Sequence, residues 1–168
     1  MPKLKPQPGT LKKSDEKLVA AHLRKRLAAN STGRQLGFKL VKATRGRVIL
    51  GMKIDARHLQ IHGVVHGGVL AALADTAGGL ASFMACSLGT RVATVEMKIN
   101  YLEGVGRGRL TADARVVRIG RHLAVVDCDV TNNTNDKKPK LLVAKALMTF
   151  FVGSFPAQTT AKPRPAES

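Results

Sequence analysis

Tryptophan is absent, and aromatic residues make up only 4% of this 168-residue chain. With a hydrophobic fraction of 44%, the core must come from Val, Leu, Ile, Ala and Met, and the shortage of rings argues against a platform for stacking nucleobases. Cysteine is nearly missing as well. Cys86 and Cys128 lie in apolar surroundings without the short spacing of a redox or zinc motif, so buried free thiols and a reducing, cytoplasmic setting are expected. His58 and His62 lack a further partner at metal-ligand spacing, so no metal site is expected, and no phosphate-cradling Walker loop occurs. The amino-terminal residues are basic and Pro-containing but carry no apolar run, so no export signal is expected.

Acidic residues are the last scarcity: 11 stand against 28 basic ones, giving a formal charge of +17. Such a surface concentrates polyanions, whether nucleic acid, a membrane surface or a phosphate-bearing small molecule. A solubility device built from basic tails and strand faces accounts for the same number. Charge by itself does not choose between them.

A chain of this length forms one ordinary domain that buries a core without metals or disulfides. Residues 1–13 read as a disordered basic arm and 154–168 as a disordered tail, leaving a single domain over 14–153. Its first helix starts at Ser14 as cap, has Asp15 and Glu16 in the first turn, shows an apolar face of Leu18, Val19, Leu23 and Leu27, and ends at Asn30–Gly33. Strands are predicted over 38–43 and 47–54, joined through Gly46, then a long apolar helix from Gly67 to about Leu88. Further strands are predicted over 92–101, 109–119, 122–131 and 141–152. Val48, Leu50, Met52 and Ile54 alternate, as do Leu110, Ala112, Ala114 and Val116, and the pattern places Ala93, Val95, Met97, Ile99 and Tyr101 on one face. An antiparallel sheet with a helix packed on one face is the natural architecture.

The helix from Gly67 has the apolar length of a membrane span. Its Gly and Ala content and its amphipathic neighbours favour instead a helix buried under the sheet, without a lone acid in lipid. At ~100° per residue, Gly68, Ala71, Ala72, Gly78, Gly79, Ser82 and Cys86 surround Asp75, while Leu70, Leu73, Ala77, Leu80 and Met84 lie opposite. A carboxylate on a stripe of small residues either accepts hydrogen bonds at a subunit contact or does chemistry. Just upstream stands Gln60-Ile61-His62-Gly63-Val64-Val65-His66-Gly67-Gly68. Two glycines at a helix start let a ligand approach outward-pointing N–H groups at the positive end of the helix dipole. Such a site suits a carbonyl oxygen gaining negative charge during acyl transfer.

The run His66-Gly67-Gly68-Val69-Leu70-Ala71-Ala72-Leu73-Ala74-Asp75-Thr76-Ala77 resembles the hallmark of PaaI-type hotdog acyl-CoA thioesterases. The similarity extends over 37–152 and includes the Asn100-Tyr101 pair. The resemblance implies the α+β hotdog fold, an antiparallel sheet wrapped around a long central helix. It implies Asp75 as nucleophile or general base, the Gly67 N–H as the donor that polarises the thioester carbonyl, and Thr94 as a holder of the attacking water. It places Gln60 where most PaaI-type members have Asn, orienting water or substrate, and gives His66 a supporting role beside the ligand-facing Gly68. Coenzyme A would enter as part of the substrate, with no other cofactor, and the chain would pair into a dimer and then a tetramer, with Gln60, His66 and Gly67 of one chain facing Asp75 and Thr94 of its neighbour. Arg118, Arg121 and His122 are candidates for the coenzyme A phosphates, with ordinary turn solvation as the alternative. Two rivals remain. A hotdog hydroxyacyl dehydratase would carry a Pro-Gly pair before the helix, absent in Val65-His66-Gly67-Gly68, and a non-catalytic acyl-CoA or nucleic-acid binder would use Lys17, Arg24, Lys25 and Arg26 but finds no helix-turn-helix partner.

Overall fold

The computed structural model describes residues 16–86, 90–134 and 141–153; the expected arm and tail, the Ser14 cap and Asp15 lie outside these. Helix α1 (Glu16–Ala29) is held to the domain by the buried side chains of Val19, Leu23 and Leu27, the inward positions of its apolar stripe. Where the sequence reads a simple helix stop, a second short helix follows, α2 (Ser31–Gln35). Asn30 sets its start: the side-chain oxygen accepts the Gly33 N–H at 3.0 Å, satisfying one of the donors that a helix start leaves open.

Six strands form one antiparallel sheet: β1 (Lys39–Thr44), β2 (Arg47–Lys53), β3 (Arg91–Tyr101), β4 (Arg109–Ile119), β5 (Leu123–Asn133) and β6 (Leu141–Gly153), in the order β1-β2-β4-β5-β6-β3. Helix α3 (Gly67–Ala85) lies across the inner face, touching every strand. The helix thus ends at Ala85, three residues earlier than its apolar run suggested, with Cys86 as its C-cap. The alternating residues of β2 and β4 are buried beneath α3, as are Leu70, Leu73, Ala77 and Met84 on the helix itself. Burying side chains the size of Leu73 and Met84 contributes about 1.5–3 kcal/mol each. Although α3 is long and apolar enough to cross a membrane, more than half of it is buried inside the domain, which accounts for its hydropathy.

One expectation fails in β3. The register slips between Thr94 and Glu96: Thr94 pairs with Phe150 and Met97 with Met148, so Thr94, Met97 and Ile99 share the inner face, while Ala93 sits opposite Phe151 on the outer one. Val95 is the extra residue of a β-bulge, and a bulge reverses the alternation at that point. Ala93 and Val95 therefore do not share the face of Met97, Ile99 and Tyr101.

The outer face of the sheet carries a lattice of ion pairs. Arg47 donates to both oxygens of Asp113 at 2.8 and 2.6 Å, Arg115 donates to the same carboxylate, and Lys145 bridges Asp127 and Asp129 at 2.8 and 2.7 Å. Burial pushes the Asp113 carboxyl up, but the hydrogen bond from Arg47 and the two guanidinium charges outweigh it and hold the group below the usual carboxylate range. A depressed carboxyl stabilises the fold above its unfolded value of about 3.9, and that contribution is lost as pH falls through the lower folded value. Asp113→Asn should cost about 1–2 kcal/mol at neutral pH, after allowance for solvent screening. In urea titrations the gap between variant and wild type should close as pH drops below about 4; a gap independent of pH would show that the ion pairs do not supply it.

Candidate functional site

The start of α3 is built by the loop before it. Asp55 and His58 cap a 3-10 turn (Ala56–His58) reciprocally, Leu59 bridges to Val65, and Gln60 closes a tight turn in which its N–H donates to Val64 and its carbonyl accepts the Gly63 N–H. Gly63 takes φ +75° there, a conformation that favours glycine. The turn leaves Gln60 exposed. His66 follows as the N-cap of α3: its backbone N–H donates to the His58 carbonyl at 2.8 Å, and its side-chain Nδ1 accepts the Gly68 N–H at 2.9 Å. The Gly68 amide is thereby occupied by the protein itself. The Gly67 amide has no acceptor among the described residues, so it is the donor left for a ligand. The Tyr101 ring closes over this point, because a Cβ on residue 67 would lie 3.1 Å from it. Glycine is what allows this close approach.

Two turns further along, Asp75 projects from the half-exposed stripe of α3. The Thr94 hydroxyl donates to its Oδ1 at 2.7 Å, a contact made by the bulge in β3 that turns Thr94 inward. The carboxylate opens onto a cavity of about 250 Å³ whose walls come from α1, α3, β3 and Phe150 of β6. Gln60, His66, Gly67 and Gly68 are not among its lining residues.

The structure therefore keeps the Gly67 amide and the Asp75 carboxylate apart. Asp75 lies eight residues beyond Gly67 in α3, and a rise of ~1.5 Å per residue separates them by about 12 Å along the axis. An oxyanion donor must stand ~3 Å from a carbonyl oxygen and an attacking group ~3–3.5 Å from its carbon. Even with the Asp75 side chain leaning toward the amino end of the helix, the amide and carboxylate of a single chain do not reach the same carbonyl. Asp75 and the half-buried Ala71, Ala72 and Gly79 lie on the outward flank of α3, whereas Gly78, Ser82 and Cys86 of the expected small-residue stripe are buried; β3, beside Asp75, is a sheet edge hydrogen-bonded on one side only among the described residues.

Arg118, Arg121 and His122 are exposed at the β4–β5 turn. His122 stacks on Phe151, with ring centroids 6.2 Å apart, and its carbonyl accepts the Val152 N–H. Since Ala124, Phe150 and Thr94 lie in register across β5, β6 and β3, the turn stands at the Thr94 end of the sheet; none of the three basic residues lines the Asp75 cavity. Among the described residues no three His, Cys, Asp or Glu side chains are grouped to hold a metal. Burial pushes the Cys86 thiol up to about 11 and the Cys128 thiol up to about 12, the latter aided by nearby carboxylates, so neither is a ready nucleophile.

Arg26, Asn30, Phe83 and Phe150 line the cavity with Asp75; the sequence pointed to Arg26 only as part of a rival binder's basic face and to the other three not at all. The available signal was spacing: Leu23 and Leu27 face the core, which sets Arg26 on the neighbouring flank of α1, with Asn30 four residues on, just past the helix end.

A profile of the thioesterase superfamily matches residues 62–138. Human acyl-coenzyme A thioesterase 13 is 31% identical over 116 residues, 68% of this chain and 79% of that protein. A thioesterase family protein from Silicibacter pomeroyi superposes with a TM-score of 0.73 at 29% identity, covering 79% of this chain and 97% of the other. A mutant of the phenylacetic acid degradation protein PaaI from Thermus thermophilus superposes with a TM-score of 0.63 at 30% identity, covering 73% and 98%.

Proposed function

Since the chain belongs to the thioesterase superfamily and is a hotdog-fold thioester hydrolase, we propose that it hydrolyses an acyl-CoA to the free acid and coenzyme A. Asp75 attacks the thioester carbonyl or removes a proton from the attacking water, and the Gly67 N–H stabilises the oxygen as it becomes an oxyanion. Thr94 fixes the carboxylate and presents the water to it. His66 holds the end of α3 in place through Gly68, so that the Gly67 amide stays aimed outward, and Gln60 orients water or substrate from the exposed turn. The protein's own residues carry this chemistry, with coenzyme A entering only as the substrate's leaving group.

The observation that carries the reading is the Asp75 carboxylate, fixed by Thr94 at 2.7 Å at the mouth of a cavity on the same kind of helix whose amino end offers an unused amide. The separation along α3 calls for a second copy. In the assembly we propose, the free edge of β3 and the small-residue stripe of α3 meet their equivalents in a homodimer, which brings Gly67 of one copy to Asp75 of the other, and dimers pair into a tetramer. Arg118, Arg121 and His122 form a basic rim at the Thr94 end for the phosphates of coenzyme A. Two high-pKa, buried thiols fit a reducing cytoplasm.

Release of free thiol from a panel of aromatic, medium-chain and long-chain acyl-CoAs tests the reading directly. Turnover of at least one member well above the buffer rate is expected. A folded oligomer inert toward the whole panel would count decisively against it.

A further inference from the structure

The cavity at Asp75 is polar at both ends and apolar between. At one end stand the carboxylate and Thr94; the middle is walled by Leu80, Phe83, Val92 and Phe150; the α1 side presents Arg26 and Asn30. The Arg26 guanidinium lies 5.0 Å over the centroid of Phe83, a ring that is itself buried and flanked by His22. A guanidinium held on an aromatic face keeps its edge N–H groups available, and among the described residues no carboxylate lies within 4.0 Å of Arg26. Asn30 spends its carbonyl oxygen on the Gly33 N–H, which leaves its amide group as a donor. The α1 end of the cavity is thus all donors and carries one positive charge.

We propose that this end is a subsite for a carboxylate at the far end of the acyl group, so that the preferred substrates are thioesters of short dicarboxylic acids; the proposal rests on the thioesterase reading of Asp75. A hydrocarbon terminus would make no use of the guanidinium, and a neutral hydroxyl would meet its hydrogen bonds but not its charge. A carboxylate satisfies both donors and accepts the planar fork of Arg26. Within one chain the cavity holds about 250 Å³, room enough for a short acyl group.

The test compares hexanoyl-CoA with adipoyl-CoA, which have the same number of acyl carbons and differ in the distal carboxylate. The full-length protein is assayed beside Arg26→Gln and Arg26→Glu. Arg26 is an exposed residue of a helix anchored by Leu23 and Leu27, so both variants fold. In the wild type, kcat/KM should favour the adipoyl thioester by roughly tenfold or more, the scale of a charge-assisted hydrogen-bond pair. Arg26→Gln should bring the ratio near one, and Arg26→Glu should invert it. The same two acyl groups on pantetheine, which lacks the nucleotide phosphates, should show the same preference. Equal kcat/KM for the two CoA thioesters in the wild type overturns the subsite alone. A loss in Arg26→Gln that is shared by both CoA thioesters and absent from both pantetheine thioesters assigns the guanidinium to the phosphates and also overturns it. If the wild type cleaves neither of these thioesters nor any acyl-CoA of the panel, the thioesterase reading fails and takes the subsite with it.

Discussion

Asp75→Asn should lower kcat for acyl-CoA hydrolysis by roughly 10²–10⁴-fold, the range associated with losing a positioned acid–base group. Asparagine is close to isosteric and keeps an oxygen where Thr94 donates at 2.7 Å, so the variant retains the hydrogen bond while losing the charge and basicity. Its oligomeric state and thermal stability should match the wild type, because Asp75 sits on the half-exposed stripe and not among the buried residues of α3. Free-thiol release measured with the best substrate of the panel checks the outcome. A folded Asp75→Asn protein that turns over at the wild-type rate removes this carboxylate from the chemistry, whatever the family resemblance implies.

Gly78→Val should destabilise the fold by about 3 kcal/mol, at the upper end of what overpacking a filled core costs. Gly78 is buried where α3 crosses β6, and a Cβ there would stand 2.7 Å from the Met148 Cε and 2.9 and 3.0 Å from carbons of the Phe150 ring. Met148 is wholly buried and Phe150 almost so, and the Phe150 ring could give way only by moving into the Asp75 cavity that it lines. Alanine at this position would recover about 1 kcal/mol of helix propensity against its own smaller clash. Valine adds two γ-carbons and a β-branched side chain, which removes most of that compensation. The urea midpoint should fall at unchanged m-value. Because Phe150 also walls the Asp75 cavity, displacing its ring should lower activity in whatever fraction remains folded. A Gly78→Val protein as stable as the parent would mean that α3 can lift off β6, and that the close helix–sheet contact described above is not a constraint.

Much of this architecture is legible in the sequence, because period-two burial and turn residues are local signals. β4 begins and ends where the alternation of Leu110, Ala112, Ala114 and Val116 places it, and the other strands differ from their expected bounds by one or two residues. Asp75 and Gly67 stood out because an acid on an apolar helix and glycines at a helix start are chemically conspicuous. What escaped was whatever depends on contacts between distant segments. Thr94 was placed at the site by resemblance alone; its inward direction depends on a slip in the pairing of β3 with β6, which no alternation pattern announces. Asn30 reads as a terminator, since Asn both ends helices and caps them, and only the coordinates show it starting α2. Arg26 looks like one of several basic residues on an exposed helix until α1 is seen to close one wall of the cavity.

The bulge at Val95 carries a final implication. Pairing Val95 with Phe150 in place of Thr94 would leave a smoother ribbon, every rung of β3 matched to β6 without interruption, and by the ordinary standards of sheet geometry it would be an improvement. It would also rotate the threonine through half a turn, from the helix to solvent, and strand the carboxylate without its companion. Regular pleating and a strand side chain meeting a helix side chain are alternatives at this position, and the chain has taken the second.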